Sequence, residues 1–548
     1  MIAGGGAITL NGTTTAAGIL GRSSGDIDIN NSVTSTGGGT IQLISAGDVT
    51  GPGLISLDPV GGLSIDTTGD VSVSVTAGPV AVRTTGDVTL FGGTAGTTTV
   101  GLVNGINGLS GADISVTAGN IELGDAPVDA TGDFTALATL GIDFIGASNR
   151  FSPAVTTGGN QSYRGTITLS ADTTLNASGN IRFNDTVDGA FDLLLIVNGF
   201  TDFLEQVGSV VALNSFRQEG GSVNFYATTL PAITTAGSTT FDGANLVLWE
   251  NTTFSSSSDL IVLGTIDSSF ADTPVVLDVT AAGNVILDGA VGGNAALGAV
   301  SINATGGQIA INSGITTLPG TIPFHTGADG SISLTAGGAV VIAGAIDTRG
   351  GLSADTGIGG NLTINSGGGA NQNIQIESTI NTRGGTMTFQ DDVFFTGAST
   401  LDTTAGNVSG TISFSAAVDG SALATIQGGT GLVTFTGAVG SNNPLDMTIG
   451  SAGGVTFGNT VLLGSGGSAI NSLAGNVSFS NTLNKLGGTL TMDLGARTAT
   501  FTGAVGSTNP FGMTVSSSGG IDFTGNVTLG GNFNLSSEGT GVNFNGTL

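Results

Sequence analysis

The sequence predicts an all-β chain folded as a single parallel β-solenoid, and three observations carry that prediction. Short segments alternate strictly between apolar and small polar residues. Glycine occupies 97 of 548 positions, roughly one in six against a usual share of about 7%, and it sits at regular turn positions. Sequence blocks recur at spacings near 22 residues and at three times that value, as expected for stacked coils of about 22 residues.

The strands come first. Ile27-Asp28-Ile29, Val71-Ser72-Val73-Ser74-Val75, Ile121-Glu122-Leu123, Ile332-Ser333-Leu334, Val433-Thr434-Phe435 and Val477-Ser478-Phe479 all read apolar, polar, apolar. Period-two alternation places one face in a core and one in water, and Thr, Val, Ile and Phe favour the pleated state. No segment shows a 3.6-residue apolar period, so helices should be nearly absent.

The turns follow a rule of their own. Gly followed by Asp or Asn and an apolar residue starts at Gly25, Gly47, Gly69, Gly86, Gly119, Gly132, Gly179, Gly283, Gly360, Gly406, Gly475 and Gly525. Gly, Asn and Asp tolerate positive φ, which sharp corners between strands require. The first three of these turns lie about one coil of 22 residues apart.

Longer repeats overlie the coils. Phe435-Thr-Gly-Ala-Val-Gly-Ser-Asn-Asn-Pro444 recurs as Phe501-Thr-Gly-Ala-Val-Gly-Ser-Thr-Asn-Pro510, an offset of about three coils. Val155-Thr156-Thr157 with Tyr163-Arg164-Gly165 returns as Ile233-Thr234-Thr235 with Phe241-Asp242-Gly243, and Ile346-Asp347-Thr348-Arg349-Gly350-Gly351 as Ile380-Asn381-Thr382-Arg383-Gly384-Gly385. Diverged copies that keep apolar and turn positions indicate neighbours sharing one core. The register predicts that Phe435, Phe457, Phe479, Phe501 and Phe523 point inward in a column. One continuous solenoid over 1–548 is expected, with aliphatic coils at 1–130, aromatic-richer repeats at 131–280, Gly-rich coils at 281–385 and Phe-Thr-Gly-Ala-Val-Gly repeats at 386–548. Residues 131–280 hold both Tyr, the single Trp and four of the nine Arg. A string of β-sandwiches would need units of about 100 residues with separate cores, and no such boundaries appear.

Composition excludes several functions. There are 10 basic and 39 acidic residues, a formal net charge of -29, a pI near 4.1 and a mean hydropathy of +0.35. Scattered cations cannot displace counterions from phosphate, so nucleic-acid binding is excluded, and an anionic membrane surface is disfavoured for the same reason. No run approaches the 18 apolar residues of a membrane span. The absence of Cys removes disulfides, thiol chemistry and cysteine-ligated zinc, and suits export of an unfolded chain. Met1 to Gly6 lacks the basic start and apolar core of a signal peptide. Both ends read as repeats cut through, so a fragment of a longer protein is expected.

The stretches Gly330-Ser-Ile-Ser-Leu-Thr-Ala-Gly-Gly-Ala-Val340 and Ile181-Arg-Phe-Asn-Asp-Thr-Val-Asp-Gly189, with the Phe-Thr-Gly-Ala-Val-Gly copies, resemble repeats of filamentous haemagglutinin-like adhesins. These are large bacterial surface proteins exported by two-partner secretion or autotransporter routes. The resemblance covers nearly the whole chain and rests on repeat texture. It implies a right-handed parallel β-helix, a secreted or cell-surface location and adhesion to a host or neighbouring cell surface through a glycan or matrix receptor. It also implies an outer-membrane secretion partner for the full-length parent. The family's N-terminal secretion domain and C-terminal membrane barrel are not in this sequence.

The chemistry is sparse. His325 is the only imidazole and reads as a surface or corner residue. Gly21-Arg22-Ser23-Ser24-Gly25 matches the Gly-x-Ser-x-Gly nucleophile motif, which needs a following helix, and a strand follows here. Lys485 comes after Asn484, so there is no P-loop. Asp26/Asp28, Asp185/Asp188 and Asp391/Asp392 are the best acid pairs and read as solvated turn acids; the glycine-rich calcium nonapeptide is absent. Tyr163 aligns with Phe241 and reads as core or edge-stacking. Trp249 is a sugar-stacking candidate whose simpler reading is a packed core residue. Arg349 and Arg383 read as exposed corners, and there is no Arg-Gly-Asp. No catalytic, cofactor-binding or metal-binding residues are assigned. The expected function is a non-enzymatic structural or adhesive shaft. A β-helical carbohydrate-active enzyme, a polysaccharide lyase or glycoside hydrolase, is the alternative. An ice- or surface-binding solenoid with regular Thr ladders is third.

Overall fold

The structure is a computed structural model that describes the chain except residues 1, 5, 36–39, 57–62, 76–77, 93–96, 101, 104–105, 125, 151, 227–230, 271–273, 319–329, 349–358, 368–372, 406–407, 451–452 and 473–474. His325, Arg349 with Gly350 and Gly351, and Gly406 therefore lie outside the described residues. Every regular element among the described residues is a strand, as the missing helical period predicts. The chain divides into two compact units, Met1–Ser257 and Ser258–Leu548.

Both units are parallel β-solenoids. In the first, an unbroken series of parallel pairings runs from Ile8–Leu10 through Ile27–Ile29 and Val49–Ser56 to Asn245–Leu248. A second series runs from Ile2–Gly4 to Thr239–Asp242. In the second unit one series runs from Leu277–Ala281 to Val542–Phe544. Another runs from Ile315–Thr316 to Leu529–Ser537, and a third from Leu260–Val262 to Val418–Gly420. Two short antiparallel hairpins, Leu102–Val103 with Ile106–Asn107 and Thr404–Ala405 with Val408–Ser409, depart from the parallel rule.

The coil of 22 residues holds where the repeats are cleanest: Val455 faces Val477, Val477 faces Ala499 and Ala499 faces Ile521. Elsewhere it varies, from 17 residues between Val71 and Val88 to 34 between Val340 and Ile374. The strands stay in register while the connections absorb the difference, because pairing of every backbone N–H and C=O fixes the strands and leaves turn length free.

Alternation sets the core. Three-residue strands bury their outer two residues and turn the middle one outward, as in Val477–Phe479 and Ile521–Phe523. Phe435, Phe457, Phe479, Phe501 and Phe523 form the inward column that the sequence predicts. All are at most 1% exposed, and consecutive rings stack face to face at 4.6 to 5.1 Å with interplanar angles of 4° to 8°. The first unit carries a matching column through Tyr163, Phe183, Phe203 and Phe225, at 5.1 to 5.7 Å. Tyr163 is thus a core residue; its hydroxyl donates to buried Gln161 at 2.9 Å.

Candidate functional site

Four of the six acids singled out in the sequence, Asp26, Asp188, Asp391 and Asp392, hold backbone. Asp26 Oδ1 accepts the N–H of Asp48, Asp48 that of Asp70, Asp70 that of Asp87, Asp87 that of Asp113 and Asp113 that of Asp133, at 2.8 to 3.1 Å. Asp133 and Asn160 continue the column to Asn160 and Asn180. This ladder explains the Gly-Asp turns differently from the positive-φ account. A Cβ on Gly132 would lie 2.0 Å from Asp113 Oδ1, and one on Gly47 2.0 Å from Asp26 Oδ1. Glycine is needed at these turns because the carboxylate of the previous coil fills the space a side chain would take. Asp28 sits mid-strand and points outward, two residues past the corner Asp26.

Of the other pairs, Asp188, Asp391 and Asp392 also cap, while Asp185 is exposed. Asp188, 8% exposed, accepts the N–H groups of Val210 and Val211 at 2.8 and 3.2 Å. Asp267 does the same for Asn294 and Ala295, Asp419 for Asn442 and Asn443, and Asn484 for Thr508 and Asn509. Each of these loops enters through a Val-Gly whose glycine has φ near +70°: Gly208, Gly292, Gly440 and Gly506. The recurring Phe-Thr-Gly-Ala-Val-Gly block therefore encodes a capped loop. Asp391 Oδ2 accepts from Ser366 N and Asp392 Oδ1 from Ala417 N, both at 2.9 Å.

The remaining candidates fall in different places. Strand Ile19–Ser23 is followed by a turn and strand Ile27–Ile29, so Gly21 to Gly25 has no nucleophile-elbow geometry. Trp249 is half-buried instead of a packed core residue, and its ring stacks on Tyr226 at 4.9 Å. Arg383 is half-buried instead of exposed. Lys485 occupies an inward position with a fully buried side chain. Its ammonium donates to Gly464 O at 2.5 Å, Gly466 O at 2.6 Å and Asp446 Oδ1 at 3.4 Å. Burial lowers its pKa, against the opposing pull of Asp446. Among the described residues no group of three or more His, Asp or Glu is placed to hold a metal ion.

One groove gathers polar side chains. It lies over strands Thr173–Ala177, Asp192–Val197 and Ser215–Glu219, with a volume of about 300 Å³. Outward Leu194 and neighbouring Thr173 and Thr174 form its floor, and Ser148, Asp172, Asp192, Ser215, Arg150 and Arg217 its walls. The parallel register places Leu194 beside Arg217 and Ile196 beside Glu219. Asn149 and Ser152 exchange backbone hydrogen bonds at 3.1 and 3.0 Å, and from this turn Arg150 pairs with Glu219, 69 residues away. Arg217 also pairs with Glu219, at 2.9 Å, and with Asp242, at 2.5 Å. Asp172 accepts from Asp192 N at 3.0 Å, and Asp192 from Asn214 Nδ2 and Ser215 Oγ at 2.7 Å each. The groove offers hydroxyls, guanidinium donors, carboxylate acceptors and an apolar floor. The enrichment of Arg in 131–280 was its one trace in the sequence.

Outward hydroxyls form regular columns despite their uneven sequence spacing. Thr388, Ser413, Thr434, Thr456, Ser478 and Thr500 lie in successive register. Thr400, Thr425 and Thr448 begin another column, interrupted at Ala469. Each strand contributes one outward hydroxyl to its column, so these are single ranks. No family model matches the chain, and no curated protein or solved structure matches it.

Proposed function

We propose that this chain is a non-enzymatic shaft with an adhesive surface, a segment of a large secreted bacterial surface protein. The carrying observation is how its acids are used. The corner carboxylates of successive coils accept backbone N–H groups of the next coil, a structural task that needs no proton transfer. The resemblance of the repeats to filamentous haemagglutinin-like adhesins supports the same reading. So do the hydroxyl columns, which repeat one contact chemistry coil after coil.

Adhesion on such a surface arises from many weak contacts, since multivalency raises avidity without a strong single site. The partner is a glycan or matrix receptor on a host or neighbouring cell, and an outer-membrane partner would export the parent protein. A β-helical lyase or hydrolase would instead need a poised acid and base within reach of one bond. The test is to incubate the chain with a panel of bacterial, plant and animal polysaccharides. New reducing ends and unsaturated uronyl products are then measured alongside retention of the chain on coated surfaces. Retention without new ends is expected; sustained cleavage of any polymer would overturn the reading.

A further inference from the structure

We propose that the groove over Thr173–Ala177, Asp192–Val197 and Ser215–Glu219 binds a single uncharged pyranose ring of a glycan; this inference rests on the non-enzymatic adhesive reading and names a ligand class for it. Size supports one ring: about 300 Å³ is the lower end of small-ligand pockets. Chemistry supports a sugar. Leu194 supplies an apolar surface for C–H groups, while Ser148 and Ser215, two carboxylates and two guanidinium groups ring it. A carboxylate has about four acceptor sites. Asp172 accepts from Asp192 N, and Asp192 from Asn214 and Ser215, which leaves acceptor sites on both for ligand hydroxyls. Arg150 and Arg217 are each about half exposed and share Glu219. That fixes their heads while N–H groups remain, because a guanidinium carries five donors.

Charge selects against an acidic sugar. Asp172, Asp192, Glu219 and Asp242 outnumber Arg150 and Arg217, in a chain of net charge -29. Stability gives only a modest reason for the arrangement, since ion pairs whose arginines are about half exposed contribute little to folding. Yet two of nine arginines meet one carboxylate across 69 residues. Holding donors in place before a ligand arrives is what such pairing does well.

The experiment uses the intact chain. Binding of the methyl pyranosides of glucose, galactose and mannose is measured by saturation-transfer NMR and titration calorimetry, with glucuronate as the charged counterpart. We expect at least one neutral glycoside to bind one-to-one, and glucuronate to bind at least about tenfold more weakly. Arg150→Gln and Leu194→Trp, checked for folding by circular dichroism, should each weaken binding at least about tenfold, the loss of a charge-assisted contact or of the space itself. Arg83→Gln, in a remote pair with Asp66, should leave binding unchanged. Absence of binding by all three neutral glycosides, tighter binding of glucuronate, or native affinity in folded Leu194→Trp overturns the groove assignment and leaves the shaft reading standing. Cleavage of a bound oligosaccharide overturns the non-enzymatic reading instead.

Discussion

Phe457 shows what one side chain contributes here. Its ring is stacked between Phe435 and Phe479 at 4.8 and 4.6 Å and is 1% exposed, so truncation removes contacts on both faces. Phe457→Ala should destabilise by about 3–5 kcal/mol, whereas Phe91→Ala, at a ring 45% exposed, should stay within about 0.5 kcal/mol. Urea titration of both variants checks the contrast. Lys485 behaves differently, because burial holds its folded pKa below the ordinary 10.5. Between that lowered value and 10.5 the unfolded chain binds more protons than the folded one, so this group makes stability rise with pH there. Below the window the penalty for burying the charge is fully present. Lys485→Met should remove that rise, which unfolding curves on both proteins at several alkaline pH values would register. The single Lys was visible in the sequence, but its inward place was not: nothing local to Lys485 announces the Gly464 and Gly466 carbonyls one coil earlier.

The turn is the element that most repays a physical reading. Gly132 illustrates it, since a Cβ there would meet Asp113 Oδ1 at 2.0 Å and little else closer than 3.2 Å. Gly132→Ala should therefore destabilise strongly alone and much less beside Asp113→Ala. A double-mutant cycle should give a coupling of about 0.5–3 kcal/mol; additive effects would mean that the carboxylate does not occupy that space. The capped loops allow a sharper comparison. Asn484 does with an amide what Asp419 does with a carboxylate, so Asp419→Asn should be nearly neutral. Asp419→Leu, leaving two N–H groups without their acceptor, should destabilise by about 1–3 kcal/mol, measured by chemical denaturation. The strands, the Phe column and the positions of these turns were legible because alternation and a 22-residue period are local signals. The reason for the Gly-Asp pair was not, because its partner lies one coil away in the stack and outside the turn itself.

At the scale of the whole molecule, the excess of acids is ordered. Six successive aspartates from Asp26 to Asp133 occupy equivalent corners, and a net charge of -29 adds repulsion in the folded state. Moderate salt should therefore raise the unfolding temperature by screening it, a change that calorimetry at two ionic strengths would detect. The groove could not be read from the sequence, since Arg150 and Glu219 meet only after intervening coils have stacked, whereas the stacked coils could, because repetition needs no long-range contact to be seen. What decides the account is how adhesion depends on chain length. Retention on a receptor-bearing cell surface is measured for the intact chain and for folded chains shortened by successive coils. The account predicts that avidity falls gradually as coils are removed, the groove over Asp192–Val197 being one weak contact among many and no single coil or side chain abolishing retention. Complete loss on removing one coil, or on one substitution such as Trp249→Ala, with the rest retaining native binding when that element is kept, would contradict it.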